Sequence, residues 1–251
     1  CCSLPRVQHT KDMKHHPVRN HYRRDCMYFS TVRHPLDLYR SLFRYGRDAR
    51  GITWKRLGQQ GRLDLYNSYP RWLEFVLDEA NAPIFKEDYE KFAHLGVGLM
   101  SFRAMRITLQ HPVTILKRAK SHDDLIRVWE QRNIAAHIFR QEELNSSLYQ
   151  FATQIVPEYF HQDRVQAFLH RSERINTTGQ GEKLTTPREL KLRIEAREKF
   201  LFERFYRQDG KVAPMPAEPA RRFSDPLLSF HILKRQLRLE LGRMLAPLRH
   251  R

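Results

Sequence analysis

The stretch YFSTVRHPLDLYRSLFRYG, residues 28 to 46, decides how this chain is read. Tyr28 to Val32 is a short, β-prone and mostly apolar run of the kind that forms a buried strand. Arg33, His34 and Pro35 follow at once, and then Leu36, Tyr39, Leu42 and Phe43 recur at three- and four-residue steps. Pro35 suits the first turn of a helix, where its missing N–H is not needed. The segment therefore reads as strand, tight turn and helix, with Gly46 marking the helix end. A strand that delivers an arginine beside a helix N-terminus builds an anion site from a guanidinium fork and unsatisfied backbone donors. Ser41 lies about 9 Å along the helix from Pro35 at ~1.5 Å per residue, so its hydroxyl adds a donor for an extended phosphate. On spacing alone, a surface ion-pair arginine and a tolerated helix serine explain the same two residues equally well.

The rest of the chain sets the context. Its 251 residues are 41% hydrophobic, enough for a core and unlike a disordered or collagen-like chain. Forty-five Lys and Arg against 28 Asp and Glu give a formal charge of +17. That balance points to an anionic partner: nucleic acid, a membrane surface, a nucleotide, or a sulfated or phosphorylated substrate. Cys1, Cys2 and Cys26 form no even disulfide framework and no zinc-site spacing, so no metal is expected. No apolar run approaches the roughly 18 to 20 residues that span a bilayer, and no signal-peptide pattern is present, so a soluble chain is expected.

Working outward, Arg47 to Arg62 is a Gly-rich, positively charged connection. Pro70 opens a helix carrying Trp72, Leu73, Val76 and Leu77, and Leu99 to Leu109 and Asp123 to Gln131 read as further helices. Ile134 to Phe139 resembles a second buried strand, and Leu144, Leu148, Phe151 and Ile155 keep helical spacing. Thr186, Pro187 and Glu189 form a capping signature, with Leu190, Ile194, Leu201 and Phe205 following on one face. Trp54, Tyr66, Tyr69 and Trp72 lie close in sequence to Arg50, Lys55, Arg56, Arg62 and Arg71. They suit either a sugar-acid platform or, more commonly, a core edged by charge. The division is a globular body over 1–210, a Pro/Ala linker over 211–220 and a basic amphipathic tail helix over 221–251. The tail has eight Lys or Arg against two Asp or Glu, which fits contact with an anionic membrane surface or docking on its own domain.

The residue 28–46 stretch resembles the 3′-phosphate-binding strand and helix of sulfotransferases that use 3′-phosphoadenosine 5′-phosphosulfate. In that family an arginine after the strand and a serine eight positions later hold the 3′-phosphate, and Arg33 and Ser41 match both identity and spacing. The Arg-x-Pro form with an aromatic-rich helix is most similar to the Golgi and bacterial carbohydrate O-sulfotransferases, including heparan 2-O types. Ile138 to Leu144 is similar to the family's late strand and E-x-L segment. Arg174 to Thr178 and Leu184 to Pro187 continue in the family's order. The resemblance implies an α/β, P-loop-like fold with a central parallel sheet flanked by helices. It also implies that the sequence is truncated at its N-terminus, because the Lys/Ser/Thr/Gly-rich loop that wraps the 5′-phosphosulfate does not precede His15. Gly179 to Lys183 lacks the spacing to replace it.

The resemblance further implies 3′-phosphoadenosine 5′-phosphosulfate as donor and a carbohydrate acceptor, with nucleic acid not expected. It makes His15 the candidate base and His16 its alternate, since sulfuryl transfer to a hydroxyl needs a group to take the proton. Asn176, Thr177 and Thr178, with Lys183, resemble the late loop over the nucleotide. The implied compartment is the bacterial cytoplasm or, alternatively, the Golgi lumen. A non-enzymatic polyanion-binding domain is the competing function class, and a P-loop kinase is a weaker third, since no Walker A loop is present.

Overall fold

The computed structural model describes residues 22, 27–85, 88–157, 160–169 and 184–206. These are mostly helical, with a small two-stranded parallel sheet, an α/β arrangement. Strand β1 (Tyr28–Val32) runs straight into α1 (Pro35–Arg47), with Pro35 in the first turn as its fixed φ favours. The chain continues through α2 (Gly51–Gln59), α3 (Tyr69–Leu77), α4 (Ala82–Phe85), α5 (Leu99–Ile107), α6 (Pro112–Leu116) and α7 (His122–Arg132) before β2 (Ala135–Arg140). β2 pairs in parallel with β1, from Tyr28 opposite Ala135 to Val32 opposite Arg140. Parallel pairing requires such a long crossover, and here most of it is helical. Then follow α8 (Leu144–Gln150), α9 (Gln162–Leu169), α10 (Arg188–Arg197) and α11 (Lys199–Phe205).

Successive strand residues point to opposite faces, so the sheet separates two apolar clusters. Val32 and Ile138 join the main core, whereas Phe139 packs with Phe151 and Val156 on the other side. Pro35, Tyr39, Phe43 and Gly46 form the buried stripe of α1. Phe43 meets Tyr69, Trp72 and Tyr66 at ring-centroid distances of 5.2, 5.5 and 5.7 Å. Tyr66, Tyr69 and Trp72 are therefore core, which settles the choice between core and sugar platform for these three; Trp54 is partly buried against the main core.

Three local expectations are corrected. α1 runs one residue past Gly46, and the positive φ of 56° falls at Ala49; the glycine at 46 is needed instead because a Cβ there would run into the Tyr66 ring. Much of the connection from Arg47 to Arg62 is helix α2. Thr186 does not cap α10, whose N-cap is Pro187; its hydroxyl instead accepts from the Arg40 guanidinium at 3.4 Å.

The expected face of Leu190, Ile194, Leu201 and Phe205 is buried, but the helix breaks at Glu198. Glu198 has no exposure to solvent. Its carboxylate accepts from the Tyr39 hydroxyl at 2.5 Å and from the backbone N–H groups of Met100 and Ser101 at 3.1 and 2.7 Å. Those amides open α5, whose N-cap Gly98 has no side chain to offer, so a remote carboxylate satisfies the orphan donors and faces the positive end of the helix. A Cβ at residue 98 would collide with that carboxylate, which explains the glycine.

No helix among the described residues is long and apolar enough to cross a membrane. The linker and tail helix expected over 211–251 lie outside the described residues.

Candidate functional site

The carboxyl ends of β1 and β2 lie side by side, and in open α/β sheets ligands bind at this end of the strands. Arg33 sits in the two-residue link between β1 and α1 and is half-buried. Among the described residues, none takes its guanidinium in a hydrogen bond or ion pair. Ser41 is half-buried two turns into α1. It follows Asp37 by four residues and His34 by seven, so it lies on the helix face that begins at the link. Arg33 and Ser41 thus belong to one strand–turn–helix unit.

Three backbone amides at this turn, those of His34, Asp37 and Leu38, are engaged within the protein. The amides of Asp37 and Leu38 both donate to the His34 carbonyl, at 2.9 and 3.0 Å. The His34 amide donates to Glu142 Oε1 at 2.8 Å. The Tyr206 hydroxyl donates to Oε2 of the same carboxylate at 2.9 Å. Burial pushes the Tyr206 hydroxyl to a far higher pKa than usual, and the Glu142 charge adds to the effect. With those three amides taken, an anion at this turn would rely chiefly on Arg33 and Ser41.

The His34 ring is met edge-on by Tyr206 at 5.0 Å and by Phe202 at 5.3 Å. Burial lowers its pKa against the opposing pull of Asp37 and Glu142. Sequence reasoning missed Glu142 and Tyr206 as parts of this end of the sheet. The two lie 64 residues apart in sequence, and nothing in their local pattern signals that they meet. A second histidine, His137 on β2, lies 4.4 Å from the Phe139 ring and 5.2 Å from the Phe151 ring, and burial lowers its pKa too.

Elsewhere, Arg62, Arg71, Glu74, Asp78 and Arg193 line an open groove of about 360 Å³. Arg62 and Arg71 lie 3.9 and 3.5 Å from Asp64, and the groove carries two further carboxylates. Its charges largely compensate one another, so the concentrated cationic surface implied by the net charge is not found here.

The candidate base His15, its alternate His16, and Asn176, Thr177, Thr178 and Lys183 all lie outside the described residues. Of the expected site, Arg33 and Ser41 are the residues that are placed. Comparison with protein-family models, curated proteins and solved structures finds no match to this chain.

Proposed function

We propose that this chain belongs to a sulfotransferase that moves a sulfuryl group from 3′-phosphoadenosine 5′-phosphosulfate to a carbohydrate hydroxyl. One observation carries the reading: a half-buried arginine at the carboxyl end of a parallel strand runs directly into a helix bearing a serine eight positions later. A guanidinium fork there suits a phosphate monoester, and Ser41 supplies a neutral donor farther along the same unit. In this proposal the finer fold is the P-loop-like sulfotransferase architecture.

The reaction is an in-line displacement at sulfur. The acceptor hydroxyl oxygen forms a bond to sulfur as the bond from sulfur to the donor's phosphate oxygen breaks, and the hydroxyl proton passes to His15, or to His16 as its alternate. Asn176, Thr177, Thr178 and Lys183 would close over the nucleotide. Catalysis of this kind draws on positioning and charge stabilisation, as phosphoryl transfer does.

The test is ligand selectivity at fixed salt. Adenosine 3′,5′-bisphosphate should bind at least tenfold more tightly than adenosine 5′-monophosphate, because only the former carries the phosphate assigned to Arg33. Equal binding of the two, with heparin and single-stranded DNA held more tightly and released steeply by salt, would instead favour the polyanion-binding reading that the +17 charge supports.

A further inference from the structure

We infer that Glu142 is a positioning residue for the anion-binding turn: its carboxylate fastens the link that carries Arg33 without itself touching the anion. The inference rests on the donor-site reading above.

The geometry is specific. Val32 pairs with Arg140 at the end of the ladder, and two residues farther on, His34 and Glu142 meet again through the Glu142 side chain. One carboxylate oxygen takes the His34 amide at 2.8 Å, and the other takes the Tyr206 hydroxyl at 2.9 Å. The same side chain thus ties the end of β1, the end of β2 and the residue after α11. Arg140, the nearest cation in sequence, is occupied by a forked contact to Glu143, with closest approaches of 2.6 Å. Arg33 itself sits between two buried residues, Val32 and Pro35, with only His34 intervening before the proline. Fixing the His34 amide therefore fixes the one soft stretch between a strand and a helix that are both anchored in the core.

Two opposite consequences are conceivable for an anionic side chain beside an anion site. A competitor would leave when the anion arrives, and its removal would tighten binding. A positioning residue would stay, and its removal would loosen the turn and weaken binding. The hold of Tyr206 on the second oxygen, with its ring packed against His34, favours staying.

The experiment titrates adenosine 3′,5′-bisphosphate calorimetrically into the wild-type protein, Glu142→Ala, Glu142→Gln and Tyr206→Phe, and follows amide hydrogen exchange at His34 in each. Glu142→Ala should weaken binding roughly three- to tenfold, the span of one net hydrogen bond, and speed exchange at His34. Glu142→Gln, whose carbonyl oxygen still accepts from the amide, should restore both, and Tyr206→Phe should lie between. Equal or tighter binding by Glu142→Ala would overturn the inference. If the wild-type protein binds no bisphosphate, the donor-site reading falls and exchange alone decides. Faster exchange in Glu142→Ala with recovery in Glu142→Gln would uphold the positioning role, and unchanged exchange would end it.

Discussion

The hydroxyl of Tyr39 donates a 2.5 Å hydrogen bond to the fully buried carboxylate of Glu198, 159 residues away in sequence. This contact joins α1, which carries Ser41, to the junction of α10 and α11 and, through the same carboxylate, to the N-terminus of α5. A buried carboxylate is tolerable only when its oxygens are satisfied, and here three donors converge on it. Tyr39→Phe removes one of them. It should lower unfolding free energy by about 1.5 to 3 kcal/mol, the range for a hydrogen bond to a charged group. Urea denaturation measures this directly, and a change within about 0.5 kcal/mol would be the size expected of an unremarkable surface substitution. Burial and the adjacent Glu198 also hold the Tyr39 pKa well above its usual 10.0. The folded state then keeps a proton that the unfolded chain loses, so this contribution to stability declines as pH rises above 10.

Gly46→Ala separates two physical effects of opposite sign. Alanine raises helix propensity by about 1 kcal/mol over glycine in an exposed helix interior. At Gly46, however, the added carbon meets the Tyr66 ring, and overpacking a core costs roughly 1 to 3 kcal/mol. The variant should be less stable in thermal and urea unfolding. A stabilised protein would mean that the helix end is not pressed against Tyr66.

His34 and His137 set an acid limit. Burial lowers both pKa values below the usual 6.5, so between the folded and unfolded values the unfolded chain binds more protons. Stability therefore rises with pH through that window and falls as pH drops below about 6.5. Asp37 and Glu142 pull His34 the other way, whereas burial is the cause at work on His137. His137→Gln should flatten the dependence of unfolding free energy on pH between 7 and 5. An unchanged or steeper slope would remove His137 from the explanation.

The parts of the fold legible in the sequence are those whose signals are local. β1, α1, α3, α7 and β2 follow from short apolar runs, helical spacing and the prolines at positions 35 and 70, and their observed bounds agree with that reading to within a few residues. The misread positions answer to distant partners. Gly46 reads as a mark of the helix end because nothing nearby in sequence announces the Tyr66 ring, and Thr186 reads as a cap because its contact with Arg40 spans 146 residues. α2 was hidden by Gly51, which enters the helix at a φ of +86°, and by Gly58. Glu198 reads as one more solvated charge in an amphipathic run until the amides of α5 are brought to it. At the candidate site, the eight-residue spacing of Arg33 and Ser41 is visible in the sequence, and the structure sets both on one strand–turn–helix unit. The contacts of Glu142 and Tyr206 are not legible in the sequence, because they arise where two strand ends and the residue after α11 converge.

Calorimetric titration of adenosine 3′,5′-bisphosphate into the wild-type protein and Arg33→Ala tests the central claim most directly. If Arg33 holds the 3′-phosphate, the substitution should weaken binding by about 1.5 to 3 kcal/mol, roughly 10- to 150-fold, as expected for a charge-assisted contact. Arg33→Lys should recover only part of the loss, because an ammonium cannot reproduce the planar fork. Affinity that is the same in Arg33→Ala as in the wild-type protein would contradict the assignment of this strand and helix as a donor-phosphate site.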